Sequence, residues 1–252
     1  MSSLAIQRLE TALQAKKFDH TLAKAWAVGS ASSERERRVM STGIAALDSA
    51  LGGGWERGEV SELVGGRSSG RLGVMLATLA GATHRGEVVA VVDALDRFDP
   101  ASAAAAGVDL ERVLWVRGPA ISVPAARLPG SDGLSEVVNR AVRALDLIVR
   151  AGGFAVVALD VADVPSRWLC ALPLATWMRI AHVNEGRDTA CLLVGEAPMG
   201  RSARGVSVRL TASSRWTGTS AQSRRFAGFD ARAEIMSARG HQAQGEGVKF
   251  RI

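Results

Sequence analysis

The stretch from Glu62 to Leu76, ELVGGRSSGRLGVML, has the outline of a loop that binds phosphate: Gly65, four residues, then Gly70. In such a loop, backbone N–H groups cradle phosphate oxygens. A Lys after the second glycine reaches the β and γ phosphates, and the Ser or Thr that follows holds Mg²⁺. Here those two positions are Arg71 and Leu72. Gly65 and Gly70 preserve the backbone. Arg71 keeps the positive charge but carries a forked guanidinium, larger than a compact ammonium. Leu72 supplies no oxygen, so a metal ligand is missing.

A second set of residues suits anions of another kind. The stretch GEAPMGRSARGVS carries Arg201 and Arg204 between Gly200 and Gly205, and Arg209, Arg215, Arg224 and Arg225 follow. Read as a mobile basic loop, it suits contact with nucleic-acid phosphates; a merely solvated charged loop is the competing reading. Arg140, Arg143 and Arg150 fall on the polar side of a helix and read as its solvated face. Other chemistry finds little support. His20, His84, His182 and His241 are scattered without metal-ligand spacing, so no metal is expected. There is no Gly-x-Ser-x-Gly elbow. Cys170 and Cys191 sit in apolar surroundings and read as buried free thiols in a reducing cytoplasm.

These residues need elements to position them. Residues 4–26 read as one or two amphipathic helices, with Ile6, Leu9 and Leu13 on one stripe, and a polar linker follows. STGIAALDSALGGG predicts a helix with Ile44, Leu47 and Leu51 on one face, ended by glycines. GEVSELVGG is a strand leading into the glycine loop, and Leu72–Ala82 an apolar helix. EVVAVVD and RVLWVRG are strands on either side of the short helix ASAAAAG. Leu134–Val149 has the clearest 3.6-residue period in the chain. GFAVVALDVADV and TACLLVGE are buried strands, separated by a helix around residues 171–183. The chain then turns to β, with GVSVRLTASSRW, FDARAEIMSARG and GVKFRI. Strands alternating with helices predict an α/β fold: a mainly parallel twisted sheet with helices on both faces and an antiparallel C-terminal extension.

The 252 residues are 47% hydrophobic and 22% charged, ordinary globular usage. Apolar runs are strand-sized and fall short of the roughly 20 residues that span a bilayer. The charged N-terminus is no secretory signal, so a cytoplasmic location is expected, away from membranes. A formal charge of +6 favours acidic partners, nucleic acid above all.

From Ser41 to Ile252 the chain resembles the RecA-type recombinases. STGIAALDSALGGG is similar to the family's opening segment, and GEVSELVGGRSSGRLGVMLATLA stands where its glycine loop and first helix belong. VVAVVDALDRFDPASAAAAGVDLERVLWV resembles the next strand, helix and strand. LSEVVNRAVRALDLIVRAGGFAVVALDVADV resembles the helix and strand that end in the second acidic motif. The resemblance implies a helical N-terminal segment and linker over 1–40 and a RecA-like core over 41–252, without an added C-terminal domain. It also assigns roles. Family members activate water with a Glu after the strand ending at Asp93, where this chain has Leu95. They stack adenine on a Tyr after an Asp-Pro pair, where it has Ser102. Asp160 alone matches, and with the site otherwise decayed it reads as a buried or half-buried acid paired with Arg71 or a backbone group, with ligand binding as the competing reading. The site is therefore expected to be vestigial, with no cofactor and no enzymatic activity.

Within this group the stretch RWLCALPLATWMRIAHVNEGRDTACLLVGEAPMGRSARGVSVRL, with the degenerate loop, resembles the ImuA family. That resemblance implies an accessory factor of error-prone translesion synthesis in the DNA-damage response. Its partners would be RecA, an inactive Y-family polymerase homologue (ImuB-like) and an error-prone polymerase assembly, with weak non-specific DNA binding. Two rival readings are a RecA-like cell-division inhibitor and an unconventional DNA-dependent ATPase that uses Arg71.

Overall fold

The computed structural model describes residues 38–119, 131–237 and 247–251. The helices expected over residues 4–26, with the stripe Ile6, Leu9 and Leu13, lie outside the described residues. A two-stranded antiparallel ribbon, β1 (Val39–Met40) and β2 (Trp55–Glu56), brackets a short helix, α1 (Ala45–Ala50). The sequence pattern predicts a longer helix here. It shortens because Asp48 accepts hydrogen bonds from the Ser41 hydroxyl and the Thr42 amide, both at 2.6 Å, which holds residues 41–44 in a turn. Gly43 sits at φ 77° in that turn, where a Cβ would lie 2.6 Å from the Ala77 carbonyl oxygen, so only glycine fits.

The central sheet has eight strands. Four are buried along their whole length: β3 (Val60–Val64), β4 (Val89–Asp93), β6 (Val156–Asp160) and β7 (Ala190–Gly195). Burial on both faces is what a continuous apolar run, rather than an alternating one, requires. With β5 (Val113–Arg117), β8 (Ser207–Thr217), β9 (Arg225–Ser237) and β10 (Gly247–Arg251), the spatial order is β10-β9-β8-β3-β7-β6-β4-β5. All pairings from β8 through β3 to β5 are parallel; β8–β9 and β9–β10 are antiparallel. The expected C-terminal extension is thus present, joined to the parallel sheet through the β3–β8 pair.

Alternate residues of each buried strand feed two cores. On one face Leu63, Val89, Val91 and Leu192 pack with Val74, Met75 and Leu79 of α2 (Arg71–His84) and Leu47 of α1. On the other, Ala90, Val92, Leu159 and Leu193 pack with Leu134, Val138 and Leu145 of α4 (Ser131–Ala151) and with Trp177 and Ile180 of α6 (Leu174–Asn184). Between β4 and β5 runs α3 (Pro100–Ala105). The helix expected around residues 171–183 is α6 preceded by a separate short helix, α5 (Ser166–Cys170). Pro173 divides them, since proline disfavours helical geometry at the residue before it. Cys191 in β7 is buried as expected, and burial pushes its thiol up to about 12. Cys170 is a correction: it ends α5 on the outer side and is exposed. Among the described residues no helix is long and apolar enough to cross a membrane.

Candidate functional site

In an open α/β sheet, ligands bind beyond the carboxyl ends of the parallel strands. The glycine loop occupies that edge, between β3 and α2. The Gly65 amide donates to the Gly195 carbonyl at 3.0 Å, which continues the β3–β7 ladder into the loop. A Cβ on Gly65 would fall 2.7 Å from the Ser69 Cβ and 2.8 Å from the Leu210 carbonyl oxygen. Ser68 and Gly70 take left-handed φ values of 58° and 90°, and Gly70 starts α2 without a side-chain cap. The backbone of a phosphate loop is retained.

The side chains are arranged differently. Arg71 is 8% exposed. One guanidinium nitrogen donates to the Gly65 carbonyl and the other to the Ala162 carbonyl at 3.3 Å, with Asp163 3.8 Å away. The guanidinium therefore ties the first residue of the loop to the chain that follows β6. Asp163 also meets Arg67 at 3.4 Å and Arg97 at 3.7 Å, so three arginines surround one carboxylate. Asp160 accepts from the Ala162 amide at 2.9 Å. Of the two pairings expected for Asp160, the backbone one is present, and the ion pair of Arg71 goes to Asp163 instead. Burial raises the Asp160 carboxyl to about 6; the Ala162 amide opposes this, Asp93 adds to it, and Arg71 lowers it.

Leu72, 42% exposed, offers only carbon on the outer side of the first turn of α2, and Leu95 is buried just beyond β4. Asp93 caps the turn after β4, accepting from the amides of Arg97 at 2.9 Å and Phe98 at 2.7 Å. Ser102 belongs to a helix cap, its hydroxyl 2.5 Å and its amide 2.9 Å from Asp99. Beside the loop lies a cavity of about 150 Å³, lined by Arg71, Leu72, Asp93, Leu95, Arg97 and Asp160 among others. A nucleotide with Mg²⁺, which the fold implies, does not fit these residues: the helix start has no hydroxyl, and the loop cation is engaged by protein oxygens.

The basic loop after β7 was expected to be mobile, but it is pinned. Glu62, buried in β3, accepts from the amides of Met199 and Gly200, both at 2.6 Å, and from the Ser207 hydroxyl. The Ser202 amide donates to the Val60 carbonyl at 3.0 Å, and the Ser202 hydroxyl binds Glu59. Gly200 lies against Trp177 so closely that a Cβ would fall 2.5 Å from that side chain. Arg201 folds back on the carbonyls of Ser202 and Gly205 at 2.9 and 3.2 Å, and Arg204 pairs with Glu56 and lies 4.0 Å from Glu59. The Arg204 side chain nonetheless stays largely exposed. Glu62→Ala should therefore lower stability by about 2 kcal/mol, because two part-buried amides lose a charged acceptor. Urea unfolding, with proteolysis near residue 200 as a second readout, measures it. Arg140 and Arg150 are exposed on α4 and pair with Glu136 and Asp146, one turn away, as a solvated helix face does.

Asp163, Arg67, Arg97 and Glu62 were not singled out from the sequence. A signal for Glu62 exists: a lone acid inside an otherwise apolar strand needs a buried partner. The cluster around Asp163 has none, since its members become neighbours only through the sheet order.

Comparison with known proteins follows the same outline. Residues 7–163 match the family model described as the RecA N-terminal domain. Protein RecA of Synechococcus sp. (strain CC9605) is 41% identical over 124 residues, 48% of this chain and 30% of that protein. Protein RecA of Chlorobium chlorochromatii (strain CaD3) is 34% identical over 161 residues, 64% of this chain and 41% of that protein. The chain thus matches less than half the length of these curated relatives. The crystal structure of the RadB recombinase superposes with a TM-score of 0.56 at 18% identity, over 85% of this chain and 96% of that one, which shows a shared fold. The family model covers more than half of the sequence, and on that ground this chain belongs to the RecA N-terminal domain family.

Proposed function

We propose that the protein is a non-hydrolysing RecA-like accessory factor of the DNA-damage response, supporting error-prone translesion synthesis. Membership of the RecA family supports a role in DNA repair. The resemblance of residues 167–210 to the ImuA family supports the narrower assignment, with RecA filaments and an inactive Y-family polymerase homologue as partners. The observation that carries the non-hydrolysing reading is Arg71, hydrogen-bonded to the Gly65 and Ala162 carbonyls beside a Leu72 that offers no metal ligand. A RecA-like subunit without a working nucleotide face can join a head-to-tail filament but not extend it. The helical segment over residues 4–26, carrying Ile6, Leu9 and Leu13, would dock on the neighbouring subunit.

Phosphate release from ATP should stay at background with and without single-stranded DNA, and nucleotide should not shift the melting temperature. Arg71→Lys alone should restore neither, because Leu72 still cannot hold the metal. Turnover that vanishes in Asp160→Asn would overturn the non-hydrolysing reading. For the partner, substoichiometric protein should shorten RecA filaments on single-stranded DNA, and removal of residues 1–26 should relieve it. Inhibition that needs saturating protein and survives the truncation would refute filament capping.

A further inference from the structure

The β8–β9 hairpin extends the sheet past the glycine loop. Near β3 its inner face is part of the core: Leu210, Ala231, Ala233 and Ile235 are each 2% exposed or less. Towards the turn the same ribbon carries three aromatic rings. Trp216 pairs with Phe226 across the strands, and Phe229 sits opposite Ser214 after an irregularity in the register. Trp216 and Phe226 are 49% and 52% exposed. Their centroids lie 5.6 Å apart, and Phe226 and Phe229 lie 5.0 Å apart, both pairs edge to face. The Arg224 guanidinium stands 5.6 Å over the Trp216 ring.

Between Ser214 and Phe229 the sequence holds Arg215, Arg224 and Arg225 and no carboxylate. The first acid beyond, Asp230, is approached by Arg215 at 4.0 Å and Arg251 at 3.6 Å. Arg224 and Arg225 have no carboxylate within ion-pair distance among the described residues. An apolar face that continues out of a core and ends in exposed Trp and Phe rimmed by Arg has the composition of an interface hot spot. The rings are turned against one another, and Arg224 covers the indole. Stacking of nucleic-acid bases needs open ring faces, whereas insertion into an apolar partner uses the ring edges that remain. The uncompensated arginines set the sign of the partner's charge.

We propose that the outer half of the β8–β9 hairpin is a docking surface for a protein segment that carries bulky apolar side chains set among carboxylates. The surface is separate from the nucleotide site and does not depend on how that site is read.

The test is selection of displayed random peptides on the full-length protein, followed by affinity measurements on synthetic copies of the enriched peptides. Enriched sequences should combine Asp or Glu with Leu, Phe or Trp. Their affinity should fall on the order of tenfold or more in Trp216→Ser/Phe226→Ser. Because that variant changes three-ring packing, Arg224→Glu/Arg225→Glu serves as a second one; it leaves the rings in place and should weaken the same peptides and favour basic ones. Thermal melts check that both variants stay folded. Enriched peptides that lack acidic and apolar residues, or that bind both variants as they bind the parent, would overturn the proposal. So would loss of oligothymidylate binding in the variants with peptide binding unchanged, which would make the hairpin a nucleic-acid surface.

Discussion

Arg71→Met should destabilise the fold by about 4 kcal/mol, the largest single effect expected at the site. Methionine matches the aliphatic stem of arginine, so packing along the stem survives, but the guanidinium is lost. The Gly65 and Ala162 carbonyls lose their donor, and Asp163 loses the most buried of its three arginines. Breaking a buried charge pair by removing one partner costs roughly 3–5 kcal/mol, because the remaining charge stays desolvated. Arg67 and Arg97, which are more exposed, offset part of that at Asp163. Guanidinium denaturation followed by tryptophan fluorescence gives the value. In a working phosphate loop the cation serves a ligand, and its removal affects binding far more than stability. A variant as stable as the parent would therefore show that Arg71 is not a structural clamp.

Asp160→Asn should act in the opposite direction, and its effect should depend on pH. Burial raises the Asp160 carboxyl from 3.8 in the unfolded chain to about 6 in the fold. When the folded pKa of an acid is raised, the folded state binds its proton more tightly. The group then costs nothing below about pH 3.8. The cost grows as pH rises from there and is complete above about 6. At 1.36 kcal/mol per unit, the full cost is about 3 kcal/mol at neutral pH. Asparagine keeps the oxygen that accepts from the Ala162 amide and carries no charge. The variant should be more stable than the parent at pH 7.5 by up to about 3 kcal/mol and nearly equal to it at pH 4. Denaturation series at the two pH values measure the difference. A pH-independent gap between the two proteins would mean that Asp160 does not titrate in this range.

Much of this was legible in the chain. The continuous apolar runs VVAVVD and AVVALD read as strands buried on both faces, and strands buried in that way belong to a parallel sheet between helix layers. The order of strands and helices followed, as did the antiparallel end. Local patterning failed where a side chain overrode it. Asp48 bonded to Ser41 and Thr42 removed the first turn from α1, and the short helix α5 before Pro173 was not foreseen. Exposure of Cys170 was hidden because apolar neighbours in sequence do not say which side of a helix faces the core.

By itself, the sequence determined which groups the site lacks. Leu72 has no oxygen, Leu95 no carboxylate and Ser102 no ring, whatever surrounds them, because these are properties of single side chains. It could not determine what the remaining groups do, because a charge is defined by its neighbours. Arg71 meets Ala162 across 91 residues of chain, and Glu62 meets Met199 across 137. Both contacts exist because β3 lies beside β7 and β7 beside β6 in the sheet. Only the tertiary structure decided that the retained cation closes the loop on itself and that the basic segment after β7 is fixed rather than free. Burial made both outcomes necessary: a charge held away from water takes whichever partner the fold brings within reach.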